Sequence, residues 1–260
     1  PVRSVADWRL RRTHIVANMQ LVMGPLPAGR GELAPEVEVL SEQEGPKFTL
    51  RKISYVAEPG DAARGAIVIA PEIFGINAHI RSVADDYASE GFLAIAPALF
   101  DRVERKFETG YEQADIQRGI ALMNRIDMAD AIRDTQAAVE YASSAGRVGL
   151  VGYCWGGTIA WVGAARIDGL SASVAYYGGG IPKFADEAPR CPLLCHFGEL
   201  DTSPTPEQAR DAIGRHAGIE AHFYPGAGHG FNCDMRASYN AEAAKLARER
   251  SLAFFGKHIG

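Results

Sequence analysis

The sequence predicts an α/β fold, a mostly parallel sheet with helices on both faces. Two observations lead there. Apolar runs are short and rich in β-branched residues, and "GAIVIAPEI" is unbroken, as in a strand buried on both faces of a parallel sheet. Strands and helical patterns then alternate along the 260 residues with no internal repeat, low-complexity tract or dividing linker. That order implies right-handed crossovers around one core, and the length suffices for a single domain.

The elements follow in order. Residues 1–30 read as a loosely structured leader, ahead of a domain over 31–260. Arg11-Arg12 precedes a moderately apolar stretch, as in a twin-arginine export signal, but His14, Asn18 and Gln20 interrupt it and no small-residue cleavage site follows. A cytoplasmic protein is the expectation. "EVEVL" (36–40) and "FTLRKISYVA" (48–57) alternate as strands about a polar turn. "GAIVIAPEI" follows. "NAHIRSVADDYASEG" sets Ile80, Val83, Ala84 and Tyr87 on one helical face and stops at Gly91. "FLAIAPALF" is a strand, a polar segment comes next, and 128–144 is helical. After the strand "RVGLVGY" come the helix "GGTIAWVGAAR" and the strands "ASVAYYG" and "PLLCHFG". A helix over 206–217, the strand "EAHFYPG" and a last helix over 239–258 complete the chain.

Composition narrows the class. With 47% hydrophobic and 23% charged residues and a net charge of −5, the chain has no basic footprint for nucleic acid and no polybasic membrane segment. No apolar run is long enough to cross a bilayer. The four cysteines, Cys154, Cys191, Cys195 and Cys233, form no small-domain disulfide framework. Cys191 and Cys195, in "CPLLCHF", read as core filling within a strand. No second Cys or His pair stands at zinc-finger spacing, and neither a metal nor an organic cofactor is implied.

One stretch does not read as scaffold. In "RVGLVGYCWGG" (147–157) a β-rich run ends in a cysteine flanked by Gly152 and Gly156, where a helix begins. Gly-x-Cys-x-Gly has the spacing of a nucleophile elbow, with Cys in place of the more usual Ser. A nucleophile on a tight strand-to-helix turn sits in a strained backbone conformation, and side chains at the flanking positions would collide with neighbouring backbone. The helix starting at Trp155 turns its N-terminal N–H groups toward the sulfur, which favours thiolate.

A thiol nucleophile needs a base and a group to orient it. In elbow folds these follow in the order acid, then histidine. Asp201 lies in the loop after "LLCHFGEL", and His229 in the glycine-rich "PGAGHGF". Both fall at carboxyl ends of strands, where open α/β sheets gather their sites. The competitors are weaker. His196 sits within a strand and reads as core, His222 as a face residue, and Glu199 lies nearer the strand than Asp201. His14, His79, His216 and His258 read as surface residues.

At this point the chain resembles the dienelactone hydrolase family, from about residue 48 to 255. The resemblance rests on "PEIFGIN" (71–77), "EGFLAIAPALFDR" (90–102), "GLVGYCWGG" (149–157), "FGELD" (197–201) and "GAGHGF" (226–231). It implies an α/β-hydrolase fold without a large cap domain and a cysteine-dependent hydrolase of small lactones or esters, working through a thioester. It also implies the triad Cys154, Asp201 and His229, the three residues reached from spacing. By the same resemblance Glu72 contacts the resting cysteine and takes part in forming the thiolate, and Ile73 and Trp155 supply the oxyanion-hole N–H groups. The residue after an elbow nucleophile supplies one such donor in any case. Arg102 matches an arginine that holds the substrate carboxylate. The family's second such arginine lies four residues after the histidine, where this chain has Cys233, and Arg236 is the nearby residue able to compensate. The expected partner is a small lactone or ester, with no nucleic acid and no membrane, bound by a monomer or homodimer. The rival readings are a carboxylesterase of small uncharged esters, a non-catalytic ligand receptor on the same scaffold, and a redox- or peroxide-sensing thiol, for which no resolving cysteine stands near Cys154 in sequence.

Overall fold

A computed structural model describes residues 36–45, 48–59 and 63–260, with side chains from residue 55 onward. The leader expected over 1–30 lies outside the described residues.

Eight strands form one sheet: β1 (Glu36–Gly45), β2 (Phe48–Ala57), β3 (Ala66–Ala70), β4 (Leu93–Pro97), β5 (Val148–Tyr153), β6 (Leu170–Tyr176), β7 (Leu193–Gly198) and β8 (Glu220–Tyr224). Their order is β1-β2-β4-β3-β5-β6-β7-β8. β1–β2 and β2–β4 pair antiparallel, and every pair from β4–β3 to β7–β8 is parallel. The "AIVIA" of β3 is buried throughout, as its unbroken apolar sequence requires. Ala66, Val68 and Ala70 join the core on one face of the sheet, Ile67 and Ile69 the core on the other.

Among the described residues six α-helices flank the sheet: α1 (Ala78–Ser89), α2 (Gln113–Met123), α3 (Met128–Ala142), α4 (Trp155–Arg166), α5 (Pro206–Gly214) and α6 (Ala241–His258). One core receives Ala138 and Val139 of α3, Ile159 and Trp161 of α4, and Ala209 and Ala212 of α5. The other receives Ile80, Ala84 and Tyr87 of α1 with Ala247, Phe254 and Phe255 of α6. Local chemistry sets the helix starts. The Asn77 side chain accepts from the Ile80 N–H at 3.2 Å, Thr205 accepts from Gln208 at 3.3 Å, and Asn240 accepts from Ala243 at 3.0 Å.

The sheet places the site. From β3 the chain crosses to β4 on one side, while β5 lies on the other, so the connections diverge at the carboxyl ends of β3 and β5. That divergence opens the crevice in which doubly wound sheets bind ligands.

Some bounds differ from the sequence reading. β1 extends to Gly45, the helix expected over 128–144 ends at Ala142 in a 3-10 turn, Ser143–Ala145, and the last helix starts at Ala241. Helix α2 is new: it occupies the segment read as merely polar. The Asp115 carboxylate accepts from the Glu112 N–H at 3.1 Å, closing the first turn.

Candidate active site

Cys154 occupies the turn between β5 and α4 with φ 56° and ψ −114°. A non-glycine residue is held there at a cost of about 1–3 kcal/mol, and close packing on both sides fixes it. A Cβ on Gly152 would overlap the carbonyl oxygen of Gly156, and one on Gly156 would overlap that of Ala70. The Cys154 N–H donates to the Tyr176 carbonyl at 3.0 Å. The turn is therefore as tight as its glycines imply.

His229, in the loop after β8, reaches back to it. Its Nε2 is 3.1 Å from the Cys154 sulfur and its Nδ1 is 3.0 Å from Oδ2 of Asp201. The second oxygen of Asp201 accepts the Ser203 N–H at 2.9 Å. This buried carboxylate fixes the ring, because a proton on Nδ1 leaves Nε2 to face the sulfur. Burial works against a charged imidazole. Negative charge at Cys154 and the Asp201 carboxylate outweigh it, raising the His229 pKa from 6.5 to about 10. The competitors stand elsewhere. His196 is buried in β7, hydrogen-bonded to Ser251 and Tyr224. His222 bonds Glu220, and Glu199 pairs with Arg210.

The other expected residues divide. Ile73 and Trp155 flank the cleft at Cys154. The Gly156 N–H is taken by the Pro71 carbonyl at 3.1 Å, whereas the Trp155 N–H, first in α4, has no carbonyl one turn back to bond. Glu72 is fully buried. It meets Arg236 Nη1 at 3.3 Å and the Tyr111 hydroxyl at 3.4 Å, rather than the Cys154 sulfur as the resemblance implied. Cys154 is turned to His229 instead.

Arg102 needs correction. It ends the 3-10 turn Leu99–Arg102 after β4, but its guanidinium grips Asp134 at 2.7 and 2.6 Å and reaches Asp130 at 3.3 Å. Asp130 and Asp134 stand one turn apart on α3, and this bidentate pairing draws the arginine away from the cleft lining. Arg236 is the arginine that turns inward. It lines the cleft, is 17% exposed, and lies over the rings of Phe74 and Tyr111.

The cleft has a volume of about 610 Å³. Cys154 and His229 line it together with the apolar side chains of Ile116, Ile120 and Met123 of α2 and of Ile126 and Met128. Pattern reading could have found α2, because Ile116, Ile120 and Met123 recur at helical spacing. Tyr111, Tyr177 and His79 were also missed. Each reaches the site region through the fold, and none stands in a motif.

The sequence matches the family model for the dienelactone hydrolase family over residues 53–259. The chain belongs to that family. A carboxymethylenebutenolidase of Pseudomonas putida is 35% identical over 216 residues, 77% of this chain and 89% of the relative. A Klebsiella pneumoniae protein of known structure is 30% identical and superposes with a TM-score of 0.70, over 83% of this chain and 97% of that one. The dienelactone hydrolase of Anabaena variabilis shares the fold, with a TM-score of 0.63 at 18% identity, over 87% of this chain and 99% of that one. The fold is thus that of the α/β-hydrolases, and this member of the dienelactone hydrolase family is a hydrolase of lactone or ester bonds. Among the described residues no helix is long and apolar enough to cross a membrane.

Proposed function

We propose that this family member cleaves small lactones or esters by nucleophilic attack of the Cys154 sulfur, through a thioester. The observation that carries this is the unbroken relay from sulfur to His229 to Asp201, at 3.1 and 3.0 Å. His229 takes the thiol proton, the thiolate adds to the carbonyl carbon, and the negative oxygen is received by the N–H groups of Trp155 and Ile73. Collapse of the adduct expels the alkoxide or enolate, which takes the proton from His229. Water, deprotonated by the same imidazole, then cleaves the thioester. Asp201 holds the ring in the required tautomer. Glu72 assists thiolate formation only when released from Arg236.

A second reading, an esterase of small uncharged substrates, draws on the charges at the cleft. Arg102 is committed to Asp134 and Asp130, and the charge of Arg236 is already opposed by Glu72. The apolar lining from α2 suits an uncharged acyl group.

Acid quenching during turnover of a p-nitrophenyl ester, followed by peptide mapping, tests the chemistry. The acyl mass should appear on Cys154 and vanish in Cys154→Ala together with turnover. Undiminished hydrolysis by Cys154→Ala would refute the mechanism.

A further inference from the structure

We propose that Glu72, His79 and Cys233 form a binding site for a thiophilic divalent cation of the zinc class, beside the hydrolytic centre. A carboxylate oxygen, a ring nitrogen and the sulfur of these three residues lie within 4.8 Å of one another, and all three residues are buried. They come from distant parts of the chain: Glu72 follows β3, His79 is in the first turn of α1, and Cys233 is in the loop after β8.

His79 supplies the independent observation. It is 5% exposed, and its Nδ1 faces the exposed Asp234 carboxylate at 3.4 Å. Its Nε2 is buried with no hydrogen-bond partner. A buried imidazole nitrogen without a partner has lost its hydration with nothing in return, a loss that a ligand bound at this nitrogen would make good. A carboxylate on the opposite nitrogen is the outer arrangement that orients metal-binding histidines, fixing the proton on Nδ1 and leaving the Nε2 lone pair free.

The donor set selects the ion. Thiolate, imidazole and carboxylate together suit zinc and its softer neighbours, whereas magnesium and calcium prefer oxygen alone. Tetrahedral zinc ligands with bonds of about 2.0–2.3 Å stand roughly 3.3–3.8 Å apart, so closing the cluster requires about one ångström of side-chain movement. Cys233 releases its proton to solvent on binding, and the resulting thiolate with Glu72 balances a doubly charged ion. His79 and Asp234 both line a second cavity of about 390 Å³, from which the ion would approach the cluster by way of His79. Occupancy draws Glu72 from Arg236, which links the ion to the cleft.

Cobalt(II) titration of chelator-treated Cys154→Ser protein tests the site without reference to hydrolysis, and Cys154→Ser removes the other candidate thiol ligand. A near-ultraviolet thiolate-to-cobalt band should develop at one equivalent and be displaced by zinc. It should be absent in Cys154→Ser/Cys233→Ser and at least about tenfold weaker in Cys154→Ser/His79→Gln, since even outer-sphere changes cost that much. As a check that needs no change at the cluster, zinc should slow alkylation of Cys233 in the Cys154→Ser protein by at least about tenfold, leaving Cys191 unaffected. No band, a band that survives loss of Cys233, or equal labelling of Cys233 with and without zinc would overturn the proposal.

Discussion

Arg236 sets its Nη1 3.3 Å from the carboxylate of Glu72, the arginine being 17% exposed and the carboxylate fully buried. Burial works against the guanidinium charge, yet the Glu72 carboxylate beside it more than offsets this and raises the arginine pKa overall, so the arginine is held to Glu72. Removing one partner strands the other. Arg236→Met should lower stability by about 3–5 kcal/mol, and Glu72→Gln added to it should restore most of that loss. Urea unfolding of the three variants measures this. A double variant no more stable than Arg236→Met would show that the two side chains do not depend on each other.

The same pair bears on substrate charge. An anionic lactone must draw Arg236 from Glu72, and a neutral ester need not. Glu72→Gln/Arg236→Met should therefore reduce kcat/KM for an anionic lactone by at least about tenfold more than for a neutral ester of similar size, one charged contact being worth upward of about 1.5 kcal/mol. Arg102→Ala should affect both substrates equally, because Arg102 is held by Asp134 and Asp130. A selective loss in Arg102→Ala would return the carboxylate-binding role to that residue.

Much of this geometry was legible because it is local. Gly152 and Gly156 mark a turn whose packing leaves no room for a Cβ, and the strand before it and the helix after it carry their own periodicity. Asp201 and His229 could be ordered because parallel strands deliver their loops to one edge of the sheet. The direction of a long side chain is a different kind of fact. Arg102 stands at a position matching a carboxylate-binding arginine, and its direction depends on acids 28 and 32 residues later, Asp130 and Asp134. His79 read as a surface residue because α1 shows an apolar face without it, yet it is buried, its ring edge-on to Tyr153 of β5 and its Nδ1 facing Asp234 of the loop after β8. Cys191 was assigned to a core strand, but β7 begins at Leu193 and Cys191 is half-buried.

Thiol reactivity separates the cysteines. Burial pushes the Cys191 thiol up to about 11 and that of Cys233 to about 11, and it raises the Cys195 thiol well above its ordinary value. Cys154 instead has an imidazole at 3.1 Å and the start of α4 beside it. Iodoacetamide near neutral pH should therefore modify Cys154 at least about a hundredfold faster than the other three, with activity lost in step. Mapping of alkylated peptides against residual hydrolysis decides it, and Cys191 labelling first would contradict the reading.

The acid can be identified by exchange. Asp201→Asn keeps the shape but no longer demands a proton on Nδ1 of His229, so kcat should fall by about 10²–10⁴ in a folded protein. Glu199→Gln removes only an exposed pairing with Arg210 and should change kcat less than about twofold. Comparable losses in both variants would mean that the 199–201 loop acts through its conformation and not through the Asp201 carboxylate.

The His229 titration makes the last prediction. Its pKa is raised in the folded protein from 6.5 to about 10. The charged imidazole is thus favoured in the native state, and its contribution to stability is complete below pH 6.5. Between pH 6.5 and about 10 the unfolded chain has released this proton and the native protein has not, so the contribution falls steadily and is gone above about 10. The stability advantage of the parent over His229→Gln, from urea unfolding, should shrink across that interval. Charge on Cys154 is one source of the elevation. In Cys154→Ser, which lacks it, the imidazole should titrate well below 10 by NMR, and the decline should shift to lower pH with it. Acylation removes any such charge, so the imidazole is freer to act as a base toward water once the thioester has formed. An unchanged His229 titration in Cys154→Ser would show that Asp201 alone raises the imidazole pKa, and Cys154 would have to be abandoned as a source of the elevation.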